Sequence, residues 1–252
     1  MASNNNEFCW HGVISTDTDK AKAFYTDVLG WTAVETPMGD NVATMFAAAD
    51  GVPRAHLMAP PMEGVPSHWD NYLKVDDVDA RTAAAAANGG NVVVPGTDIP
   101  VGRFSVVTSP SGAAICFFHE ADEATANNAG GGEGSIHWVE LHSKDLDADL
   151  AWLESTLGLT HSEMPMPEGK YYILASGDSQ IGGAMTSMNE QAPSMWLTWV
   201  SVSDVDAVAD RAKAGGGQLL ADMWEVPGIA RMAILMDNTG GVFGAITPTP
   251  RG

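Results

Sequence analysis

Basic residues are scarce in this chain. It carries 12 Lys and Arg against 32 Asp and Glu, a formal net charge of −20. Cut after Ala126, it leaves 16 acidic and 6 basic residues on each side, so the acidity belongs to the whole chain and not to a tail. Such a surface repels phosphate backbones and anionic lipid, which argues against nucleic-acid and membrane-surface partners. Cysteine is nearly absent. Cys9 and Cys116 are the 2 present, and neither belongs to a CxxC pair. They make no disulfide framework and are expected as buried free thiols in a reducing, cytoplasmic setting. No stretch is long and apolar enough to span a bilayer. The opening MASNNNEFCW has no basic region followed by an apolar run, so it does not read as a signal peptide. The chain has no GxSxG, no HExxH and no nucleotide fingerprint. GGAMTSM (182–188) is glycine-rich, but it lacks the strand–loop–helix setting and the Lys-Ser/Thr ending of a phosphate loop.

What the chain has is repetition. DTDKAKAFYTDVLGW (17–31) returns 128 positions later as DLDADLAWLESTLGL (145–159). SVVTSPSGAAICFF (105–118) returns as AILMDNTGGVFGAI (233–246). A weaker echo lies inside each half. WDNYLKVDDVDARTAAAAANGG (69–90) and WLTWVSVSDVDAVADRAKAGGG (196–217) both read as a strand, an acidic cap and a helix ending at glycine. Asp77 or Asp79, and Asp204 or Asp206, are placed to cap the free amides at those helix starts. ADEATANNAGGGEG (121–134) has no apolar period and reads as an exposed linker. The expected organisation is therefore two domains, 7–120 and 135–247, joined by 121–134. Each contains two strand–helix–strands units.

Alternation assigns faces to the strands. In IHWVELHS, Trp138, Glu140 and His142 share one face, and the matching first-half strand puts Trp10, Gly12 and Ile14 together. In the first strand of the inner repeat, Asp70, Tyr72 and Lys74 share a face; Leu197, Trp199 and Ser201 are their counterparts. A face bearing aromatics with isolated polar groups is what a sheet curled around a small molecule presents. Glu140 and His142 form the sharpest pair, since a carboxylate there can orient an imidazole or bind a ligand hydroxyl. The bland alternative is a strand-end residue and a structural hydrogen bond. Asp70 is costly to bury unpaired, so it either contacts a ligand or metal or sits salt-linked at the surface. Trp10, Tyr72, Trp138 and Trp199 either line an aromatic-binding pocket or fill the floor of the cup. Cys116 reads as packing rather than a nucleophile. Arg103 and Arg231 precede matching strands and are expected to pair with the acidic surface. TPMGDN and MPMPEGKYY occupy equivalent places and each reads as a turn leading into a strand.

With these pieces assembled, the chain resembles the vicinal oxygen chelate superfamily, which includes glyoxalase I, the bleomycin and fosfomycin resistance proteins and extradiol dioxygenases. The matching stretches are W-H-G-V-I-S-T-D…A-F-Y…L-G-W (10–31), V-D-D-V-D…G-G (75–90) and G-R-F…S-P-S-G (102–112). In the second half they are W-V-E-L-H-S-K-D…L-G-L (138–159), V-S-D-V-D…G-G (202–217) and R-M-A-I-L-M-D-N-T-G (231–240). The resemblance implies an α+β fold of two tandem domains, each of paired βαβββ modules forming a cupped mixed sheet. It also implies a divalent metal held by His, Gln and Glu side chains. Counting from the family's landmarks places those ligands at Trp10, Asp70 and Cys116 in the first half. In the second they fall at Trp138, Leu197 and Gly244.

The second set has no metal donor, and the first has two, to which His56 could add a third. The expectation is a cleft that binds a small organic molecule, aromatic or otherwise, with no metal cofactor. Candidate contacts are Trp138, Glu140, His142, Trp199, Trp10, Asp70 and Tyr72. One alternative is a metal-dependent glyoxalase, lyase, isomerase or dioxygenase with an atypical set built on Asp70, Cys116 and His56. Another is a non-catalytic structural or interaction protein with vestigial clefts. Two paired domains in one chain leave either a monomer or a homodimer open.

Overall fold

The computed structural model describes residues 6–38, 41–121, 131–166 and 169–249. Most of the expected linker, 122–130, and parts of the two matching turns, 39–40 and 167–168, lie outside the described residues.

Four modules follow one another. The first is β1 (Phe8–Ile14), α1 (Thr18–Leu29), β2 (Thr32–Met38), β3 (Asn41–Ala47) and β4 (Pro53–Met58). The second is β5 (His68–Lys74), α2 (Val78–Ala87), β6 (Asn91–Ile99), β7 (Gly102–Thr108) and β8 (Ala114–Glu120). The third is β9 (Ile136–Ser143), α3 (Leu146–Leu157), β10 (Thr160–Met164), β11 (Tyr171–Ser176) and β12 (Ser179–Thr186). The fourth is β13 (Met195–Ser201), α4 (Val205–Ala214), β14 (Gln218–Leu219), β15 (Trp224–Val226), β16 (Ala230–Met236) and β17 (Val242–Pro248). Each half builds one mixed sheet. The first runs β2-β3-β4-β1-β5-β8-β7-β6 and the second β10-β11-β12-β9-β13-β17-β16-β14, with β15 paired to β16. These are two tandem α+β domains of paired βαβββ modules.

The repeated acidic residues have one local job. Asp17, Asp77, Asp145 and Asp204 each stand at a helix N-cap and accept from the amide three residues on, at Lys20, Ala80, Ala148 and Ala207. This satisfies an amide with no partner inside the helix and sets a negative charge against the positive end of the helix dipole. The Leu-Gly endings of α1 and α3 are also functional: Gly30 and Gly158 take left-handed caps at φ 66° and 67°, a conformation that costs a side chain strain.

The compact units cut across the halves. Among the described residues, one unit draws on 6–10, 70–121 and 138–197, and the other on 11–69, 131–137 and 198–249. Each unit thus joins one module from each half. In the first, α2 packs on α3; in the second, α1 packs on α4. The second unit's core is aromatic: Tyr25 meets Phe24, Trp31, Phe46, Trp69 and Phe243 at centroid distances of 5.4–6.2 Å. In the first unit Trp152 stacks on Phe117 and donates to the Ala85 carbonyl at 3.0 Å. A buried carboxylate joins the modules of each unit: Asp149 in the first, Asp237 in the second. Arg103 pairs with Asp79 and Asp98, and Arg231 with Asp206, so both arginines serve the acidic surface. Among the described residues no helix is long and apolar enough to cross a membrane.

Candidate functional site

The face of β9 carries an organised polar group. Alternation projects Trp138, Glu140 and His142 to one side, with Val139 and Leu141 buried on the other. Glu140 is 5% exposed and His142 8% exposed. His142 Nε2 lies 2.7 Å from Glu140 Oε1, so the imidazole donates to the carboxylate. The Tyr171 hydroxyl, from the start of β11, also donates to Glu140, and Trp138 Nε1 donates to that hydroxyl at 2.9 Å. Burial, followed by the Glu140 charge and the hydrogen bond to it, pushes the Tyr171 phenol well above its ordinary range. Tyr171 therefore stays protonated across neutral pH and remains a donor.

A glycine makes this arrangement possible. Gly183 on β12 is the register partner of Glu140 in a parallel pairing. A Cβ at 183 would fall 2.0 Å from the Tyr171 hydroxyl oxygen and 2.9 Å from Trp138 Nε1. The absent side chain is the space in which tyrosine, tryptophan and carboxylate meet. The result is two aromatic rings flanking a carboxylate that is already held by two donors, with the second ring nitrogen of His142 uncommitted to Glu140. Such a group can fix the hydroxyl or carbonyl of a planar ligand without reorganising.

The first half places its candidates differently. Tyr72 on β5 is the register partner of Cys116 on β8. Asp70 stands two residues before Tyr72 on the same face, so these three come together. Burial pushes the Cys116 thiol well up, and the Asp70 carboxylate adds to it. The Tyr72 phenol is raised by burial, then by Cys116 and Asp70. Cys9, which donates to the Tyr72 carbonyl at 3.5 Å, is pushed up to about 12 by burial and then by Glu120. Both cysteines are free and buried. As thiols, not thiolates, they are poor nucleophiles. Lys74 and Glu120 close the end of this face with an ion pair at 2.5 Å.

The remaining candidates separate. Trp10, on β1, is partly buried. Trp199 is 1% exposed and packs edge-on to Trp224 at 6.0 Å. It also covers Gly244, where a Cβ would fall 2.1 Å from the ring. Its ring fills the floor of the fourth module. His56 pairs in register with Gly12 and falls in the other compact unit from Asp70 and Cys116.

The metal of the superfamily's enzymes does not fit this donor set. The second-half positions offer Trp138, Leu197 and Gly244, with no ligand atom for a hard cation. The first-half positions offer one carboxylate and one thiol, beside a tryptophan with no ligand atom. Among the described residues, no three of His, Cys, Asp and Glu are placed to hold an ion. Tyr171 and Gly183 were not singled out in the sequence. The traces they leave there are the KYY that opens β11 and the glycine pair at 182–183.

Comparison with known proteins agrees with this architecture. The family model described as the Glyoxalase/Bleomycin resistance protein/Dioxygenase superfamily matches residues 10–117. The "Putative glyoxylase CFP32" of Mycobacterium tuberculosis is 35% identical over 248 residues, covering 96% of this chain and 95% of its own. The "Anthracycline biosynthesis protein DnrV" of Streptomyces peucetius is 28% identical over 254 residues, covering 94% and 91%. Among solved structures, the Mn(II)-bound glyoxalase from Novosphingobium aromaticivorans aligns with a TM-score of 0.63 at 20% identity, covering 97% of this chain and 83% of its own. The 2,3-dioxygenase LapB from Pseudomonas sp. KL28 also gives 0.63, at 13% identity, with 99% and 95% covered. At those identities the structural likeness concerns the fold alone. The chain belongs to the glyoxalase/bleomycin resistance protein/dioxygenase superfamily.

Proposed function

We propose that this protein binds a small, flat organic molecule against β9 of the second domain, and that it does so without a divalent metal. The observation that carries this is the buried Glu140–His142 pair at 2.7 Å, braced by Tyr171 and flanked by Trp138. A buried carboxylate held by two protein donors is a fixed acceptor, and its aromatic neighbours favour a planar partner. The ligand class is an aromatic compound bearing hydroxyl or carbonyl groups. Similarity to proteins named for anthracycline biosynthesis supports an organic ligand. Residues 7–120 and 135–247 are taken as the two domains, in a cytoplasmic protein.

The test is a thermal-shift screen of hydroxylated mono- and polycyclic aromatics, followed by calorimetry of the best one before and after EDTA treatment. Affinity should stay within about twofold after chelation. A loss of about tenfold or more, restored by Mn²⁺ or another divalent ion, would restore the superfamily's metal mechanism.

A further inference from the structure

Arg54 on β4 is 1% exposed, among the most deeply buried large side chains in the protein. Its Nη2 pairs with Asp50, whose own side chain is 43% exposed. Its Nε and Nη1 are buried and have no hydrogen-bond partner among the described residues. A guanidinium presents five N–H donors in a fixed fork and no acceptor. Leaving them unmatched is costly, and native proteins rarely tolerate it without a use. Alternation places Arg54 on the same face of β4 as His56, which stands in register with Gly12 of β1. The second half pairs Glu140 with Gly183 in the corresponding register, so the position matching Arg54 there is Ile181. The arginine is therefore a feature of the first half and not of the shared plan.

We propose that Arg54 is the anion-recognition group of a second ligand site, on the first domain, which takes the carboxylate of a small organic acid. Asp50 holds the place of that carboxylate. It is fixed from both sides, since Val52 N donates to Oδ1 at 2.9 Å while Oδ2 meets Arg54. It is also the part of the pair that reaches solvent, so an incoming carboxylate arrives at its side and competes with it. One buried positive charge is matched by one negative charge. A monoanion that displaces Asp50 keeps that balance, whereas a dianionic phosphate would leave excess charge in a buried site of an already acidic protein.

The experiment titrates benzoate, benzamide and inorganic phosphate by calorimetry into wild type, Arg54→Met and Asp50→Asn. Benzoate should bind wild type saturably through Arg54, and benzamide, with the same ring and no charge, should bind wild type no more tightly than it binds Arg54→Met. Arg54→Met should weaken benzoate by at least about tenfold while staying folded, because the apolar chain replaces two donors without a partner and gives up one ion pair, to a half-exposed carboxylate. Asp50→Asn should tighten benzoate several-fold by removing the competitor. The proposal is overturned if wild type ignores benzoate, if phosphate alone binds, or if Arg54→Met binds as wild type does. Should Arg54→Met fail to fold, an Asp50→Asn protein whose benzoate affinity is unchanged overturns it equally. Each titration is repeated in Glu140→Gln, where the Arg54-dependent binding of benzoate should persist, so the β9 site stands or falls separately.

Discussion

Replacing Asp237 with alanine should destabilise the protein by about 3–5 kcal/mol, measured by urea unfolding. Asp237 is 2% exposed and follows β16 in the turn DNTG. Its Oδ1 accepts from Thr239 N at 2.7 Å, Thr239 Oγ1 at 2.8 Å, Gly240 N at 2.8 Å and Gly241 N at 3.0 Å. Its Oδ2 accepts from the buried Tyr25 hydroxyl of α1 at 2.7 Å, which in turn accepts from Trp69 Nε1 at 2.8 Å. Alanine would leave the Thr239 and Gly241 amides, the Thr239 hydroxyl and a buried phenol without this acceptor, while Gly240 N keeps the main-chain carbonyl of residue 237, and each buried group left without a partner costs about 1–3 kcal/mol. Asp237→Asn keeps the turn acceptor and should lose only about 1–2 kcal/mol. A loss below about 1 kcal/mol for the alanine variant would show that water or a shifted turn replaces the carboxylate.

Asp149→Ala should cost about 2–4 kcal/mol, for the mirrored reason. Here the helix carries the carboxylate and the turn supplies the hydroxyl. Asp149 of α3 is fully buried and accepts from Ser111 Oγ at 2.5 Å, Ser111 N at 3.1 Å and Ser143 Oγ at 2.6 Å. The expected loss is smaller because the serines have other neighbours. Ser111 Oγ lies 3.4 Å from Ser109 Oγ, and Ser143 Oγ also accepts from Asp145 N. The two carboxylates share no partner and serve different units, so the double variant should lose the sum of the single losses. A double variant no worse than Asp237→Ala would mean that one unit's unfolding already commits the other.

The repeat announced the modules because it is local chemistry. An aspartate three residues ahead of an amide caps a helix wherever it stands, and Leu-Gly ends one. How modules combine is not local. The interleaving of the halves depends on which helix faces fit, as where Gly217 admits Phe24: a Cβ there would fall 2.8 Å from the ring. That choice leaves no period in the sequence. The site divides in the same way. Strand alternation alone placed Glu140 and His142 on one face. Tyr171 could not be joined to them without knowing that β11 pairs with β12, and β12 with β9. Gly183 looked like part of a failed phosphate loop because its purpose is the room it leaves opposite Glu140. Trp199 is buried against Trp224. Its role as floor rather than lining is decided by Gly244, on another strand. Arg54 gave no signal, because a lone arginine in PRAHLM looks like any surface cation until burial is known.

The most direct measurement takes the aromatic ligand from the screen and titrates it by calorimetry into wild type, Glu140→Gln and Asp70→Asn, each first shown to be folded. Removing the carboxylate charge beneath the ligand should weaken binding about ten- to a hundredfold, equivalent to about 1.5–3 kcal/mol. Asp70→Asn, on the face of β5, should leave the affinity within about twofold. The opposite ranking, with Asp70→Asn impaired and Glu140→Gln unaffected, would contradict the β9 site and move the aromatic ligand to the face of Asp70, Tyr72 and Cys116.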